Sequence, residues 1–383
     1  MTVTTPRGFR AAGVAAGLKS SGKPDVALVV NDGPSDVAAA VFTTNRCKAN
    51  PVLWSEQVMA DRSARAVVLN SGGANCYTGP AGFQTTHASA ELVAQQLGFG
   101  AIDVVVCSTG LIGETLDRDA LNAGIEAAAA KLSADGGVSA AEAIMTTDTH
   151  SKQVVREGRG YTIGGMAKGA GMLAPALATM LVVVTTDAAI DAETADRALR
   201  TATRETFDRL DSDGCMSTND TVLLMCSGAS GETPDADEFT SLLTEACHDL
   251  AQQLLRDAEG SEHDIEIQVV NAATEDDALV VGRAIARSNL FKTAVYGKDP
   301  NWGRILAAVG TTDAVFEPSA LDVAFNGVWI CRGGEPGEPR DTVDLSGREV
   351  TVTVDLKAGR QSATIWTNDL THAYVHENSA YST

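Results

Sequence analysis

The chain has 383 residues, 44% hydrophobic and 21% charged, a composition typical of a globular protein with a large core. Its formal net charge of −21 at pH 7 argues against a nucleic-acid partner, because such binding depends on basic side chains that neutralise phosphates. Seven scattered cysteines without a CxxC pair, no secretory signal and no apolar run of membrane-spanning length predict a cytoplasmic protein without disulfides, zinc or membrane contact.

Short apolar strands alternate with helical segments in the first third of the chain. The predicted strands cover residues 27–30, 37–43, 65–70 and 103–107. The predicted helices cover residues 85–97, 116–132 and 140–145. The last of these strands opens into the turn Ser108-Thr109-Gly110.

The segment 164–187 has the least ordinary composition. Four glycines and Lys168 precede Pro175, and the apolar run from 180 to 186 predicts a buried strand. The glycines predict close backbone approach or special dihedral angles, because glycine otherwise costs backbone entropy. Residues 169–174 also fit a loose GxGxxA dinucleotide pattern, but that pattern needs a following helix, whereas a proline and a strand follow here. We therefore do not predict a nucleotide-binding loop.

Beyond this segment the pattern is first helical and then mixed. The predicted helices cover residues 192–210, 235–257 and 276–287. The predicted strands cover residues 265–269 and 291–296, and strands 350–356 and 361–366 are predicted to form a hairpin. The change of pattern near residue 280 predicts a boundary between a large domain, 1–280, and a smaller C-terminal domain, 281–383.

His372 and His376 stand four residues apart, with Glu377 beside them. On a helix these side chains would share one face and could offer two metal ligands. No third ligand is obvious in the sequence, so we interpret them as surface residues and predict no metal site.

Thr179 lies between the glycine-rich stretch and the buried strand, and two interpretations of it stay open at this point. Most threonines before an apolar run simply begin a strand. Alternatively Thr179 is a nucleophile, whose hydroxyl needs a base close by. Cutting the Ala178–Thr179 bond would free an α-amine with an ordinary pKa of about 7.7–8.0, which could serve as that base.

Longer motifs run through the whole chain. The central motif is MAKGAGMLAP at 166–175, followed by ATML at 178–181. The others are FTTNR at 42–46, NSG at 70–72, STG at 108–110, MTTDT at 145–149, STNDTVL at 217–223, DPNWGR at 299–304 and NSAYST at 378–383. Together they resemble the ornithine acetyltransferase (ArgJ) family of arginine biosynthesis.

The resemblance implies a fold and a maturation step. The implied fold is α/β, a layered α-β-β-α sandwich similar in architecture to the N-terminal nucleophile hydrolases but different in topology, with a smaller C-terminal α/β domain. The implied maturation is self-cleavage between Ala178 and Thr179 into chains 1–178 (alpha) and 179–383 (beta). These fragments are expected to stay together as an alpha2beta2 heterotetramer.

The resemblance also implies a reaction. The Thr179 hydroxyl would take the acetyl group from N2-acetylornithine, and glutamate would remove it from the resulting ester to form N-acetylglutamate. Thr109 and Gly110 match the family's oxyanion hole, which stabilises the tetrahedral intermediates. The residues that match the substrate-binding positions are Thr146, Lys168, Thr179, Glu259, Asn378 and Thr383. Lys168 suits a carboxylate, and Glu259 suits the ornithine ammonium.

Some points stay open. The family usually continues after Glu259-Gly260 with Ala-Thr-Lys, whereas this chain continues with Ser261-Glu262-His263. No cofactor is expected, and use of acetyl-CoA as a second acetyl donor is undecided. The alternative enzyme is a self-processing amidohydrolase or aminopeptidase with water as acceptor. A non-enzymatic alternative is an amino-acid-binding protein that is never cleaved.

Overall fold

The structure is a computed structural model that describes residues 2–172 and 180–380. The predicted site residues Ala178, Thr179 and Thr383 lie outside the described residues. The strands are β1 (Phe9–Val14), β2 (Val26–Asn31), β3 (Ala38–Phe42), β4 (Ala66–Asn70), β5 (Val104–Ser108), β6 (Lys152–Glu157), β7 (Thr162–Lys168), β8 (Leu181–Thr186), β9 (Thr221–Cys226), β10 (Asp264–Ala272), β11 (Asp322–Phe325), β12 (Val328–Arg332), β13 (Glu335–Pro336), β14 (Glu349–Asp355) and β15 (Gln361–Asn368). The α-helices are α1 (Asn50–Val58), α2 (Gly79–Leu97), α3 (Arg118–Ala130), α4 (Gly137–Ala143), α5 (Ala192–Glu205), α6 (Ala236–Arg256), α7 (Glu275–Ala286), α8 (Asn289–Tyr296), α9 (Trp302–Val309) and α10 (His372–Ala380).

The strands form three mixed sheets. The first has the order β1-β2-β4-β5, the second β3-β9-β8-β7-β6, and the third β13-β12-β11-β14-β10-β15. Each sheet contains one parallel pair: β4 with β5, β8 with β9, and β10 with β14. The other neighbours are antiparallel.

The second sheet separates two cores, because alternate residues of a strand point to opposite faces. Leu181 and Val183 of β8 belong to the core shared with the first sheet. Val182 and Val184 belong to the core under α5 and α6. Helices α2 and α3 pack on the first sheet. The layers therefore run helix, sheet, sheet, helix, which confirms the predicted α-β-β-α sandwich.

The third sheet has a core of its own, covered by α7, α8 and α9. In chain order β10 is the first strand of this sheet, and its other strands come from the C-terminal part of the chain. The domain boundary near residue 280 stays a prediction, and α7 runs across that position. Within the part of the chain that the structure describes, no helix combines the length and apolar character needed to cross a membrane.

Most of the predicted elements are present. The buried strand predicted at 180–186 is β8, and the helix predicted at 235–257 is α6. The helix predicted at 85–97 is α2, which begins six residues earlier, and the one predicted at 192–210 ends at Glu205 and continues as a 3-10 turn.

The strand predicted at 291–296 is wrong, because these residues form helix α8. The Ser288 side chain accepts a hydrogen bond from the Phe291 N–H and caps this helix at its N-terminus. Phe291, Ala294 and Val295 are buried at helical spacing. A short apolar run fits either a strand or a buried helix, so periodicity alone misled the prediction.

The predicted hairpin of residues 350–356 and 361–366 is also wrong. Both strands exist, as β14 and β15, but they do not pair with each other. Strand β10 lies between them, parallel to β14 and antiparallel to β15. The parallel partner of β10 is therefore β14.

Two of the central glycines lie inside β7, where other parts of the chain come close. A Cβ atom on Gly164 would lie 2.5 Å from the Thr2 carbonyl oxygen, and one on Gly165 would lie 3.1 Å from Leu250 Cδ1. Both distances are too short or very tight for a side chain. Close backbone approach, as predicted, thus explains Gly164, whereas side-chain packing leaves little room for a Cβ at Gly165.

We predict that Gly164→Ala lowers the free energy of unfolding by about 1–3 kcal/mol, because the added methyl meets backbone that cannot move aside cheaply. Denaturant unfolding measures the change. Gly347→Ala is the matched control, since a Cβ there meets nothing within 4 Å. Equal stability of the two variants would contradict this explanation of Gly164.

Candidate active site

A cavity of about 280 Å³ collects the predicted site residues that the structure describes. It lies where β5, β7 and α6 end, and residues of α10 also line it. The predicted residues that line it are Thr109, Gly110, Thr146, Lys168, Glu259 and Asn378. They come from sequence positions as far apart as 109 and 378, and the fold brings them together.

Thr109 and Gly110 place two hydrogen-bond donors at the cavity. The Lys168 ammonium, which can only donate, donates to Thr109 Oγ1 at 3.1 Å, so the Thr109 hydroxyl keeps its own proton for another acceptor. The Thr109 backbone N–H is already used, because it donates to the Asn70 carbonyl oxygen. The Gly110 N–H has no acceptor among the described residues. The hydroxyl of Thr109 and the N–H of Gly110 are therefore the pair available to an oxyanion.

Gly110 can only be a glycine. Its φ of +130° is a conformation that other residues rarely adopt. A Cβ atom there would also lie 2.8 Å from the Gly73 backbone nitrogen. Gly73 itself donates its N–H to the Thr109 carbonyl oxygen, which holds this turn in place.

Lys168 is 1% exposed and lies among carboxylates. Burial lowers the pKa of its ammonium, while Asp148 and Glu259 oppose that shift. Burial raises the pKa of Asp148, but Lys168, Lys152 and the Gly169 N–H outweigh it and lower the pKa to about 2. The Asp148 carboxylate is thus held in its charged form beside Lys168.

Glu259 is oriented from two sides. Thr147 donates its hydroxyl to Oε1 at 2.8 Å, and Asn378 donates its side-chain amide to Oε2 at 3.1 Å. A Cβ atom on Gly171 would lie 2.7 Å from Oε2, so the absence of a side chain at Gly171 allows the carboxylate to sit there. The cavity thus presents a cation, Lys168, and an anion, Glu259.

Met180 is the first described residue after position 172, and it directly precedes β8, which pairs in parallel with β9. Met180 donates its N–H to Asp220 Oδ1 at 2.9 Å, and Asp220 is fully buried, which raises the pKa of its carboxyl well above the ordinary value. The neighbouring Asn219 lines the cavity and donates to the carbonyl oxygens of Ala74 and Ser108 at 2.7 and 2.8 Å. Met180, the residue after Thr179, is therefore anchored directly beside a wall of the cavity.

Sequence reasoning assigned no role to several residues that build this site. Asp148, Thr147 and Asn219 lie inside motifs quoted for the family resemblance, which was the available signal. Lys152 and Asp257 belong to no quoted motif, and isolated charged residues carry no signal that they will be buried.

The unusual loop Ser261-Glu262-His263 does not line the cavity in the described residues. His263 is 4% exposed, and its Nδ1 lies 2.7 Å from Asp369 Oδ2. The backbone N–H groups of Glu262 and His263 donate to the other oxygen of Asp369. The loop therefore connects to the third sheet and not to the cavity.

His372 and His376 both lie on α10. Over residues 2–172 and 180–380, no group of three or more His, Cys, Asp or Glu side chains is arranged to hold a metal ion.

Comparison with known proteins gives relatives over the full length. The family model of the ArgJ family matches residues 10–383. The arginine biosynthesis bifunctional proteins ArgJ of Thermobifida fusca and Streptomyces coelicolor are 65% and 64% identical over 383 and 382 residues, with 100% of each chain covered. An ornithine acetyltransferase of Mycobacterium tuberculosis, solved with ornithine, is 55% identical, covers 47% of this chain and 96% of its own, and gives a TM-score of 0.45.

We predict that Asp148→Asn makes the free energy of unfolding depend less strongly on pH under acidic conditions. Because the folded-state pKa of Asp148 is lowered from 3.8 to about 2, its stabilisation is present above pH 3.8 and is lost as the pH falls through 2. The part of the free energy of unfolding that varies over this window should shrink by about 2 kcal/mol in the variant. Denaturant unfolding from pH 2 to pH 5 measures it, with the exposed Asp341→Asn as control. An unchanged slope would contradict the role given to Asp148.

Proposed function

The chain belongs to the ArgJ family, and we propose that it is a glutamate N-acetyltransferase, which moves the acetyl group of N2-acetylornithine to glutamate through an acetyl-Thr179 ester. The observation that carries this proposal is one cavity that combines two oxyanion donors, at Thr109 and Gly110, with the opposite charges of Lys168 and Glu259. An N-acylated amino acid that also carries a side-chain amino group matches this combination. Its acyl carbonyl suits the oxyanion donors, and its two charged ends suit Lys168 and Glu259. Lys168 would bind the carboxylate and Glu259 the side-chain ammonium.

In the first half-reaction the Thr179 Oγ attacks the acetyl carbonyl carbon. The α-amine of Thr179, free after cleavage at Ala178–Thr179, accepts the hydroxyl proton. The negative charge on the carbonyl oxygen is stabilised by the Thr109 hydroxyl and the Gly110 N–H, each worth about 3–4 kcal/mol in comparable enzymes. The C–N bond then breaks, the proton passes to the leaving nitrogen, and ornithine departs from the acetyl-Thr179 ester.

In the second half-reaction the amine of glutamate attacks the ester carbonyl. The same two donors stabilise the second tetrahedral intermediate. The α-amine of Thr179 takes a proton from the attacking nitrogen and passes it to the Thr179 oxygen as the ester C–O bond breaks, and N-acetylglutamate leaves. Thr146 and Asn378, together with Thr383 at the C-terminus, would contact the amino-acid portion of each substrate.

We further propose that acetyl-CoA serves as a second acetyl donor, which would suit the word bifunctional in the relatives' names. No cofactor takes part in either half-reaction. The alpha and beta fragments, 1–178 and 179–383, would assemble as a cytoplasmic alpha2beta2 heterotetramer.

We predict that the purified wild type runs as two fragments on a denaturing gel and that Thr179→Ala runs as one full-length chain. The alanine variant lacks the hydroxyl that attacks the preceding carbonyl, whereas Thr179→Ser keeps it and should still be cleaved. Intact-mass analysis locates the cut, and the exposed Thr342→Ala is the control for a threonine elsewhere. A single chain for both wild type and Thr179→Ala would rule out self-processing.

We also predict that acetyl transfer requires glutamate. With N2-acetylornithine alone, only one ornithine per cleaved enzyme should be released while the acetyl group stays on Thr179, and added glutamate should raise the steady rate of ornithine release by at least about tenfold. Chromatography of ornithine, acetate and N-acetylglutamate measures this. Equal release of acetate with and without glutamate would instead identify the amidohydrolase. Repeating the assay with acetyl-CoA and glutamate tests the second donor.

A further inference from the structure

Lys152, the first residue of β6, is fully buried and does not line the described part of the cavity. Its ammonium donates to Asp148 Oδ1 at 2.5 Å and to Asp257 Oδ2 at 2.6 Å. The His150 carbonyl oxygen lies 3.5 Å away. We call Lys152, Asp148 and Asp257 the Lys152 triad. A buried ammonium between two carboxylates makes strong, directional hydrogen bonds. Removing one partner leaves an uncompensated buried charge.

Asp148 connects Lys152 to one wall of the cavity. Its Oδ2 accepts the backbone N–H of Thr146 at 2.9 Å, and its Oδ1 accepts the backbone N–H of Gly169 at 2.7 Å. Gly169 directly follows Lys168. The carboxylate therefore holds the backbone at Thr146 and directly after Lys168.

Asp257 connects Lys152 to the end of α6, near Glu259. It follows the last residue of α6 and comes two residues before Glu259. Its carboxylate accepts the Thr149 backbone N–H at 3.0 Å and also the Thr149 hydroxyl. Thr149 is two residues after Thr147, which donates to Glu259. One lysine thus fixes both the segment that orients Glu259 and the helix end that carries it.

The Lys152 triad also crosses the proposed cleavage point. Lys152 and Asp148 precede residue 178, and Asp257 follows it. After cleavage, the contact between Lys152 and Asp257 would join two separate chains.

We propose that Lys152 is a positioning residue that sets the separation between the Lys168 and Glu259 walls and thereby the length of amino acid that the cavity accepts. This proposal rests on the proposed function. An acyl donor that is held by its carboxylate at one end and its ammonium at the other must match that separation. If Asp257 loses the Lys152 ammonium, the helix end that carries Glu259 gains freedom, so that binding weakens and discrimination by length declines.

A purely stabilising role is the competing explanation, since buried ion pairs are often replaceable by apolar side chains of similar size. The two roles differ in their kinetics. Lost stability lowers the fraction of active enzyme and leaves KM unchanged. Lost positioning of binding groups raises KM and leaves kcat per cleaved enzyme nearly unchanged.

The experiment compares wild type, Lys152→Met and Lys152→Arg with N2-acetylornithine and the longer N2-acetyllysine. For Lys152→Met we expect KM for acetylornithine to rise about tenfold, with kcat per cleaved enzyme within about threefold. The preference for acetylornithine over acetyllysine should fall at least about threefold. Lys152→Arg, which keeps the charge, should recover part of both effects.

Lys357→Met is the matched control, because Lys357 forms an ion pair with Asp322 in the third sheet at 2.8 Å, away from the cavity lining. It should leave KM and selectivity unchanged.

If Lys152→Met does not fold, the double variant Lys152→Met with Asp257→Asn removes one charge of each sign and is measured in the same way. Unchanged KM and selectivity in the folded variant would overturn the proposal. A wild type that transfers no acetyl group to glutamate would instead overturn the proposed function.

Discussion

Two buried ammonium groups, those of Lys152 and Lys168, interact with the same carboxylate, Asp148, and the cavity depends on that interaction. A lone charge at such a depth would cost several kcal/mol. Asp148 compensates the lysines and also accepts backbone N–H groups from Thr146 and Gly169. The Asp148 carboxylate therefore both balances the charge of the buried lysines and fixes the backbone path of the site. This local balance holds although the chain as a whole carries a net charge of −21.

The layers of the fold determine what can meet in the cavity. Strand β5 belongs to the first sheet and brings the Thr109 turn, whereas β7, β8 and β9 belong to the second and bring Lys168, Met180 and Asn219. Asn219 connects the two sheets by donating to the carbonyl oxygen of Ser108 in β5 and to that of Ala74, which follows β4. Helix α6 then brings Glu259 from the outer layer. The site is built at the common end of three layers, so each layer contributes a different chemical group.

Much of this arrangement was predictable from sequence, and the failures have physical causes. Long elements with clear periodicity, such as α6, were found because burial on one face leaves a regular pattern. Strand β7 was missed because Gly164 and Gly165 interrupt the apolar alternation, and α8 was mistaken for a strand because eight residues are too few to show a helical period. The cavity residues were located by motifs shared with a family. Lys152 was not located in this way. Its partners Asp148 and Asp257 are 4 and 105 residues away, and nothing in the sequence indicates that the three side chains meet.

The pairing of β7 with β8 has a consequence for how the two fragments behave as molecules. Six residue pairs, from Ile163 with Thr186 to Lys168 with Leu181, join strands on opposite sides of the proposed cut. The proposed fragments would therefore share a continuous sheet and the two cores on its faces. Pulling them apart is equivalent to unfolding, because it would leave strand edges unpaired and buried apolar faces in water. If the chain is cleaved as proposed, fragment exchange between molecules should be as slow as global unfolding, and each cleaved molecule would keep the partner with which it was synthesised.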